Sequence, residues 1–303
     1  MNILVATDTS ACSQAAIESV MAMGYGSGTE IKAITVVDLF EPLLAIHQEK
    51  AMEQARQYIA SVVDKVKAAL PQTKVSGGVV IGYADQMIIQ TAHEFKANLI
   101  VMGSHGRTGL TRFLWGSISR AVMLDSPCSV RIVRHVDTDK IANNHVLIAL
   151  DESQNSIDSA YILQHVLESS WTEGTKFKCI SVVSEEYKYI FFDPALASGL
   201  AGHREDILSN AASSLRQRVN RLNLAFGEGS ASYEVLEGDA RVRILEQAKE
   251  WNAAVIVMGT HGRKGVEEIL LGSVADAVSS HAPSSVEIVR HQAKQPAKMH
   301  VII

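Results

Sequence analysis

Two stretches of the chain are closely similar, LIVMGSHGRTG at residues 99–109 and VIVMGTHGRKG at residues 255–265. Each is a short apolar run that leads into closely spaced glycines, which is the pattern of a buried strand that ends in a tight turn. In both copies nine residues then separate the second glycine from a Gly-Ser pair, at 116–117 and at 272–273. The chain therefore contains an internal repeat, and each copy carries the same glycine-rich loop.

The repeat extends to both sides of these loops. Matching segments are ILVATD at 3–8 with VLIALD at 146–151, AITVVD at 33–38 with CISVVS at 179–184, and SVRIVRH at 129–135 with SVEIVRH at 285–291. The offset between the copies grows from 143 at Asp8 to 146 at Val36 and 156 at Gly103, so the second copy has insertions of 3 and 10 residues. We place the longer insertion at 187–202 and interpret it either as a lid over a ligand or as a flap between domains.

Short apolar runs alternate with longer amphipathic segments in each copy. In the first copy, strands are predicted at 2–7, 30–37, 75–81, 99–102 and 130–134, and helices at 10–23, 43–70, 84–95 and 117–125. Nearly continuous apolar strands alternating with helices indicate a parallel sheet covered on both faces. The sequence thus predicts an α/β protein with two tandem domains, 1–136 and 145–303, joined by a polar linker at 137–144.

Composition limits the classes of function. Of the 303 residues 47% are apolar and 20% charged, which suits two globular domains, and the net charge of -5 argues against a nucleic-acid partner. Three scattered cysteines favour a reducing compartment. The chain opens on a strand and has no apolar run of roughly 20 residues, so we expect a cytoplasmic protein without a membrane partner.

The glycine loops have the chemistry of a phosphate site. Glycines allow the backbone to approach an anion closely, and the Gly-Ser pair opens a helix whose free N–H groups and dipole favour negative charge. Ser117 and Ser273 are expected to cap these helices and to donate to phosphate oxygens, and Arg107 and Arg263 to add charge-assisted bonds. Neither loop is a Walker A motif, because no Gly-Lys-Ser/Thr follows the glycines. Neither is a dinucleotide-binding fingerprint, because the glycines do not follow the first strand of the domain.

The spacing Gly-x-x-Gly, nine residues, Gly-Ser after a VMG strand end resembles the universal stress protein family, over both halves of the chain. The resemblance implies two doubly wound, five-stranded parallel sheets with strand order 3-2-1-4-5, flanked by helices. It also implies the branch that binds ATP (or ADP or AMP) with Mg²⁺, in a stress-response or signalling role. Last-strand edges join two domains in this family, so we expect a pseudo-dimer within one polypeptide, with a homodimer and an unidentified protein partner left open.

Carried over by position, the resemblance also assigns site residues. It places the ribose on Asp8, the base against Ala6, Thr7, Val36 and Met102, and the phosphates on Gly103, Gly106, Gly116, Ser117 and Ser119. The second site would use Asp151, Val182, Met258, Gly259, Gly262, Gly272 and Ser273. Leu150 replaces Thr7, Ala275 replaces Ser119 and Ser184 replaces Asp38, so we expect the first site to bind nucleotide more tightly.

Other interpretations remain open from the sequence. The protein is alternatively a slow ATPase or a nucleotidyl-transferring enzyme, or a scaffold with degenerate pockets. Catalysis needs a base, a metal-binding carboxylate pair and a phosphate-binding lysine; Asp8 has no second carboxylate fixed beside it, and Lys264 occurs in the second loop alone. We therefore favour binding over catalysis. Asp8 and Asp151 are alternatively simple helix N-caps, and His105 and His261 are assigned to packing rather than to metal.

Overall fold

The computed structural model describes residues 1–38, 48–105, 116–134, 144–151, 157–184, 194–260 and 271–290. Over these residues the strands are Asn2–Ala6 (β1), Glu30–Val37 (β2), Lys74–Ile81 (β3), Leu99–Gly103 (β4), Ser129–Val133 (β5), His145–Ala149 (β6), Lys176–Val183 (β7), Ala231–Glu237 (β8), Val255–Gly259 (β9) and Ser285–Val289 (β10). The helices are Ala11–Met21 (α1), Gln48–Ala69 (α2), Ala84–Glu94 (α3), Ser117–Asp125 (α4), Ile157–Glu168 (α5), Pro194–Phe226 (α6), Ala240–Glu250 (α7) and Ser273–His281 (α8). Within this part of the chain, no helix has the length and hydropathy that a membrane span requires.

The strands form one sheet of ten strands in the order β3-β2-β1-β4-β5-β10-β9-β6-β7-β8. Inside each half all neighbouring strands are parallel, and each half has the order 3-2-1-4-5. The prediction of an α/β fold with two tandem domains is therefore confirmed. The two sheets are not separate, however, because the last strands β5 and β10 pair antiparallel and merge them.

The core follows from the alternation of side chains along buried parallel strands. On one face, residues such as Leu4, Ile132 and Ile288 belong to an apolar cluster that runs through both domains without interruption. On the other face, Ile3 and Phe177 belong to two separate clusters, one in each domain. The seam between the domains is thus apolar on one face of the sheet and not on the other.

Two predicted segments lie partly outside the described residues. The helix predicted at 43–70 is described from Gln48 onward, as α2. Of the insertion at 187–202, residues 194–202 form the first turns of α6, which is 33 residues long where α2 has 22, and the remainder lies outside the described part. The described portion of the insertion is thus helical.

A close contact between α2 and β3 yields a test of this packing. A Cβ atom at Gly77 would lie 2.5 Å from Val63 Cγ2 and 3.2 Å from Ile59 Cγ1, whereas nothing lies within 4 Å of a Cβ at Gly78. Val63 is β-branched and stiff at χ1 in a helix, so its methyl group cannot swing aside cheaply. We expect Gly77→Ala to lower the free energy of unfolding by about 1–3 kcal/mol.

Gly78→Ala is the matched control, because it adds the same methyl group to the neighbouring residue of the same strand. It should leave the free energy of unfolding unchanged or raise it slightly. Urea denaturation followed by circular dichroism measures both variants. Equal losses in the two variants would contradict the proposed contact between α2 and β3.

Candidate functional site

The candidate site lies where the strand order reverses. β1 is flanked by β2 on one side and by β4 on the other, and Ala6 at the end of β1 is in register with Met102 near the end of β4. The helix connections leave β1 and β4 on opposite sides of this point, which opens a crevice beyond their carboxyl ends. Thr7 and Asp8 follow β1 into this region, and Ser104 and His105 follow β4.

Three of the four residues assigned to the base lie on one face of the sheet. Ala6 and Met102 belong to the continuous apolar cluster, and Val36 packs against that cluster from β2. In the second domain the same places are taken by Ala149 and Met258, which belong to the same cluster, and by Val182, which packs against it. The structure therefore brings together an apolar surface at the end of the central strands in both domains.

Thr7, the fourth residue assigned to the base, is separated from this group. It is buried, and its hydroxyl lies 2.7 Å from Tyr58 Oη of α2 and donates to Ser13 Oγ of α1 at 3.2 Å. The Tyr58 hydroxyl also donates to the backbone carbonyl of Asp8. Thr7 thus connects the end of β1 to two helices on the opposite face, a role that the sequence did not indicate.

Asp8 is positioned by the start of α1 without being its cap. Ser10 is the N-cap, and its side chain accepts from the Ser13 amide, so the interpretation of Asp8 as the N-cap is wrong. Asp8 Oδ1 accepts from the Ser10 amide at 2.9 Å, and the Asp8 amide donates to Ser13 Oγ at 3.1 Å. The first bond orients the partly buried carboxylate beside the crevice, and the second fixes the backbone that carries it.

The end of β4 and the start of α4 are tied to each other. The Gly116 amide donates to the Ser104 carbonyl at 2.9 Å, and the Ser119 hydroxyl donates to the carbonyls of Gly103 and Ser104, each at 3.0 Å. Ser119 is 2% exposed, so its hydroxyl serves the backbone at the base of the glycine loop. The described residues on either side of 106–115 are therefore bonded to each other, and they lie next to the start of α1, since Ser10 Oγ donates to the His105 carbonyl at 3.3 Å.

Gly103 permits β4 to touch α1 directly. A Cβ atom there would lie 2.6 Å from the carbonyl carbon of Cys12 and 2.8 Å from the amide nitrogen of Ser13, distances that no side chain tolerates. Because these neighbours are backbone atoms, neither can move without displacing the helix. The glycine at this position thus brings the first turn of α1 against the end of the central strand.

The start of α4 is not capped by a side chain. Gly116 occupies the N-cap position without a side-chain hydrogen bond, and Gly272 does the same for α8. The expectation that Ser117 and Ser273 cap these helices is therefore wrong, because each is the first residue inside its helix. An N-terminus without a side-chain cap presents N–H groups and the positive end of the dipole to a ligand.

His105 follows β4 and is in polar contact with Ser104, whose Oγ is 3.1 Å from His105 Nδ1. Burial, and then the positive charge of Arg134, lower the pKa of His105 below its usual value, which favours the neutral imidazole. Ser104 Oγ also donates to Cys12 Sγ at 3.7 Å. Within the described ranges, His, Cys, Asp and Glu side chains form no group of three or more that would hold a metal ion.

The second domain repeats the frame with fewer hydroxyl contacts. The Gly272 amide donates to the Thr260 carbonyl at 2.7 Å, and Ser159 Oγ donates to the Asp151 carbonyl at 2.7 Å, as their counterparts do in the first domain. Leu150 and Ala275 are buried where the first domain has Thr7 and Ser119. Both replacements remove hydroxyls that, in the first domain, bond to neighbouring protein groups.

The residue of the second domain that corresponds to Tyr58 is a serine and has no phenol group. Ile59 and Val63 of α2 are buried at the places that Leu215 and Val219 take in α6. The preceding residue in α6 is Ser214, whose Oγ accepts from Arg218 at 2.7 Å. The bond from Tyr58 to the backbone next to Asp8 thus belongs to the first domain.

Some assigned residues cannot be placed. Gly106, Arg107, Gly262 and Arg263 lie outside the described residues. Among the residues that the sequence did not suggest, Ser10 and Ser13 have a recognisable signal, because serines that follow a strand-end aspartate commonly begin a helix. Tyr58 has no such signal, since its position depends on how α2 lies on the sheet.

Comparison with known proteins agrees with this geometry. The universal stress protein family matches residues 1–134 and 142–290, nearly the whole chain, so the protein belongs to that family. A universal stress protein of Mycobacterium tuberculosis is 26% identical over 243 residues, which cover 78% of this chain and 77% of the relative. One from Synechocystis is 29% identical over 152 residues, 48% of this chain and 97% of the relative.

Solved structures show the same fold. The crystal structure of a universal stress protein from Archaeoglobus fulgidus covers 95% of this chain and 96% of its own, with a TM-score of 0.65 and 23% identity. A universal stress protein solved in complex with cAMP covers 44% of this chain and 96% of its own, with a TM-score of 0.36 and 23% identity.

Ser119 supplies a test of how the loop is held. Ser119→Ala leaves two buried carbonyls without their hydroxyl donor, so we expect the free energy of unfolding to fall by about 1–2 kcal/mol. Ser117→Ala, an exposed serine in the same helix turn, should change it by less than about 0.5 kcal/mol. Thermal and urea denaturation of both variants measure the difference, and a loss as large at Ser117 would show that the hydroxyl of Ser119 does not hold the loop.

Proposed function

We propose that this universal stress protein binds an adenine nucleotide in the crevice between β1 and β4, and that occupancy serves a stress-response or signalling role. The observation that carries the proposal is the start of α4. Its N-terminus has no side-chain cap and is fixed by Ser119 and Gly116 against the end of β4. A phosphate group at this position would accept from the free amides and meet the positive end of the helix dipole.

The remaining groups suit the rest of a nucleotide. The partly buried carboxylate of Asp8, oriented by the Ser10 amide, would accept hydrogen bonds from the ribose hydroxyls. The apolar surface of Ala6, Val36 and Met102 lies on the face where a base would pack. We assign Thr7 and Ser119 to the support of the site instead of to contacts with the ligand, because their hydroxyls bond to protein groups.

Purified full-length protein should carry or bind the nucleotide. We expect acid-released ligand, separated by HPLC and identified by mass spectrometry, to be ATP, ADP or AMP. Isothermal titration of emptied protein with each nucleotide, with and without Mg²⁺, determines which is preferred. Protein that is purified without nucleotide and that also fails to bind added Mg-ATP would refute the proposal. If the protein hydrolyses ATP, and Asp8→Ala abolishes hydrolysis while binding persists, the result would favour the alternative function of an ATPase.

The two sites should differ in affinity. Asp8→Ala removes a charged acceptor from the better supported site, so we expect it to weaken tight nucleotide binding by about 10- to 100-fold. Asp151→Ala makes the identical change in the second domain and should leave the tight binding phase in place. Asp8→Asn is a further control, because an amide oxygen keeps the bond from Ser10 but removes the charge.

Titration of all three variants with Mg-ATP separates the phases. Equal losses from Asp8→Ala and Asp151→Ala would contradict the inequality of the sites without contradicting nucleotide binding itself. The distinction matters, because the same glycine frame occurs in both domains and the difference rests on the supporting hydroxyls.

A further inference from the structure

The seam between the domains has a local two-fold axis. β5 and β10 pair antiparallel, with Arg131 opposite Glu287, Ile132 opposite Val286 and Val130 opposite Ile288. Arg131 and Glu287 are 156 positions apart, which is the offset between the two copies in this region, so they are equivalent residues. Each copy thus places this residue against its own counterpart from the other copy.

The two counterparts form a buried ion pair. Arg131 is 1% exposed and Glu287 is fully buried, and the Arg131 Nε donates to Glu287 Oε2. His165 of α5 contacts the other carboxylate oxygen through Nε2, while the guanidinium lies 5.4 Å from the ring centre of Trp171. Burial alone would raise the pKa of Glu287, but the charge of Arg131 and the bonds from His165 and Arg131 lower it to about 2, so the carboxylate stays ionised.

A second pair repeats the same polarity at the rim of the seam. Arg120 Nη2 of α4 lies 3.5 Å from Asp276 Oδ1 of α8, and these residues too are 156 positions apart. Both are exposed, with 60% and 44% of their side-chain surface accessible. At both places the first copy provides the cation and the second copy the anion.

Arg134 and Arg290, an equivalent pair away from the axis, show no such difference. Arg134 Nη2 donates to the carbonyls of Ser279 and Ser280 at the end of α8, each at 2.8 Å. Its equivalent Arg290 donates to the carbonyls of Met123 and Leu124 at the end of α4, at 2.6 and 2.7 Å. These arginines meet backbone groups and not their own counterparts, so the same residue serves both copies.

We propose that the charge pairs on the axis make the seam heterotypic, so that the edge of the first domain accepts the edge of the second domain of this chain and rejects a copy of itself. Two first domains joined at β5 would place Arg131 against Arg131 and Arg120 against Arg120. Two second domains joined at β10 would place Glu287 against Glu287 and Asp276 against Asp276. Buried like charges without a partner are strongly unfavourable, whereas the apolar part of the seam would fit either combination.

A charge exchange in the full chain tests this inference. Arg131→Glu and Glu287→Arg each create a like-charge seam, and the double variant R131E/E287R restores an opposite pair with reversed polarity. We expect each single variant to unfold at a lower urea concentration than the unmodified chain. The double variant should lose less than the sum of the single losses, and its recovery should be incomplete, because His165 and Trp171 remain beside the exchanged groups.

The exchange at the rim gives a milder version of the same cycle, for use if the buried variants do not fold. R120D, D276R and their combination alter exposed side chains, so the fold is retained and the shifts in midpoint are small. Soluble double variants beside insoluble single variants would also support the proposal. It is overturned if the losses at both pairs are additive or greater than additive in the double variants.

A second experiment determines directly which domains associate with each other. A protease site is introduced into the full chain within residues 135–143, and the protein is cleaved after it has folded. Isotopically heavy and light preparations are then mixed and analysed by native mass spectrometry. We expect every pair to contain one first-domain and one second-domain fragment, and pairs of two like fragments would overturn the proposal. In the variant D276R/E287R the β5 edge and the β10 edge are both positive, so the proportion of pairs with one fragment of each domain should fall. An unchanged proportion would show that charge does not select the partner.

Discussion

The antiparallel hydrogen bonding of β5 to β10 is the constraint on which the arrangement of both domains depends. Every strand inside a domain is parallel to its neighbours. This single reversal therefore makes the strands of one domain point in the opposite direction to those of the other, so that their carboxyl ends lie on opposite sides of the common sheet. The two candidate sites therefore lie beyond opposite ends of the strands of the common sheet. The same pairing leaves an apolar core continuous across one face, while an ion pair closes the seam on the other.

The reversal also connects each site with the other domain. α4 begins at the first glycine loop and ends at carbonyls that Arg290 of the second domain holds. α8 begins at the second glycine loop and ends at carbonyls that Arg134 of the first domain holds. A cation at a helix C-terminus stabilises the dipole, whose positive end faces the candidate phosphate site. Each domain thus helps to fix the helix on which the other domain's site depends.

Much of this could be predicted from the sequence, for physical reasons that differ between residues. Buried parallel strands show as apolar runs, which is why the pattern predicts the tandem α/β fold, whereas the strand order follows from the resemblance to the universal stress protein family. The cap of α4 was misassigned because glycine and serine both suit an N-cap, and local sequence does not decide between Gly116 and Ser117. The ion pair at Arg131 does have a sequence signal, since SVRIVRH and SVEIVRH differ at that residue alone and the difference inverts its charge, but only the pairing of β5 with β10 places the two residues in contact.

The structure changes the reason for expecting unequal sites. In the sequence, Leu150 and Ala275 suggested that the second site had lost polar contacts to the ligand itself. In the structure their counterparts, Thr7 and Ser119, bond to protein groups, and Tyr58 adds a bond to the backbone beside Asp8. Leu150, Ala275 and Ser214 stand at the corresponding places of the second domain and cannot form these three bonds, so its strand end and the start of α8 are held by fewer hydroxyls. A site whose frame is held by fewer bonds loses more conformational freedom when a ligand binds, and that ordering lowers affinity even when every contacting group is the same.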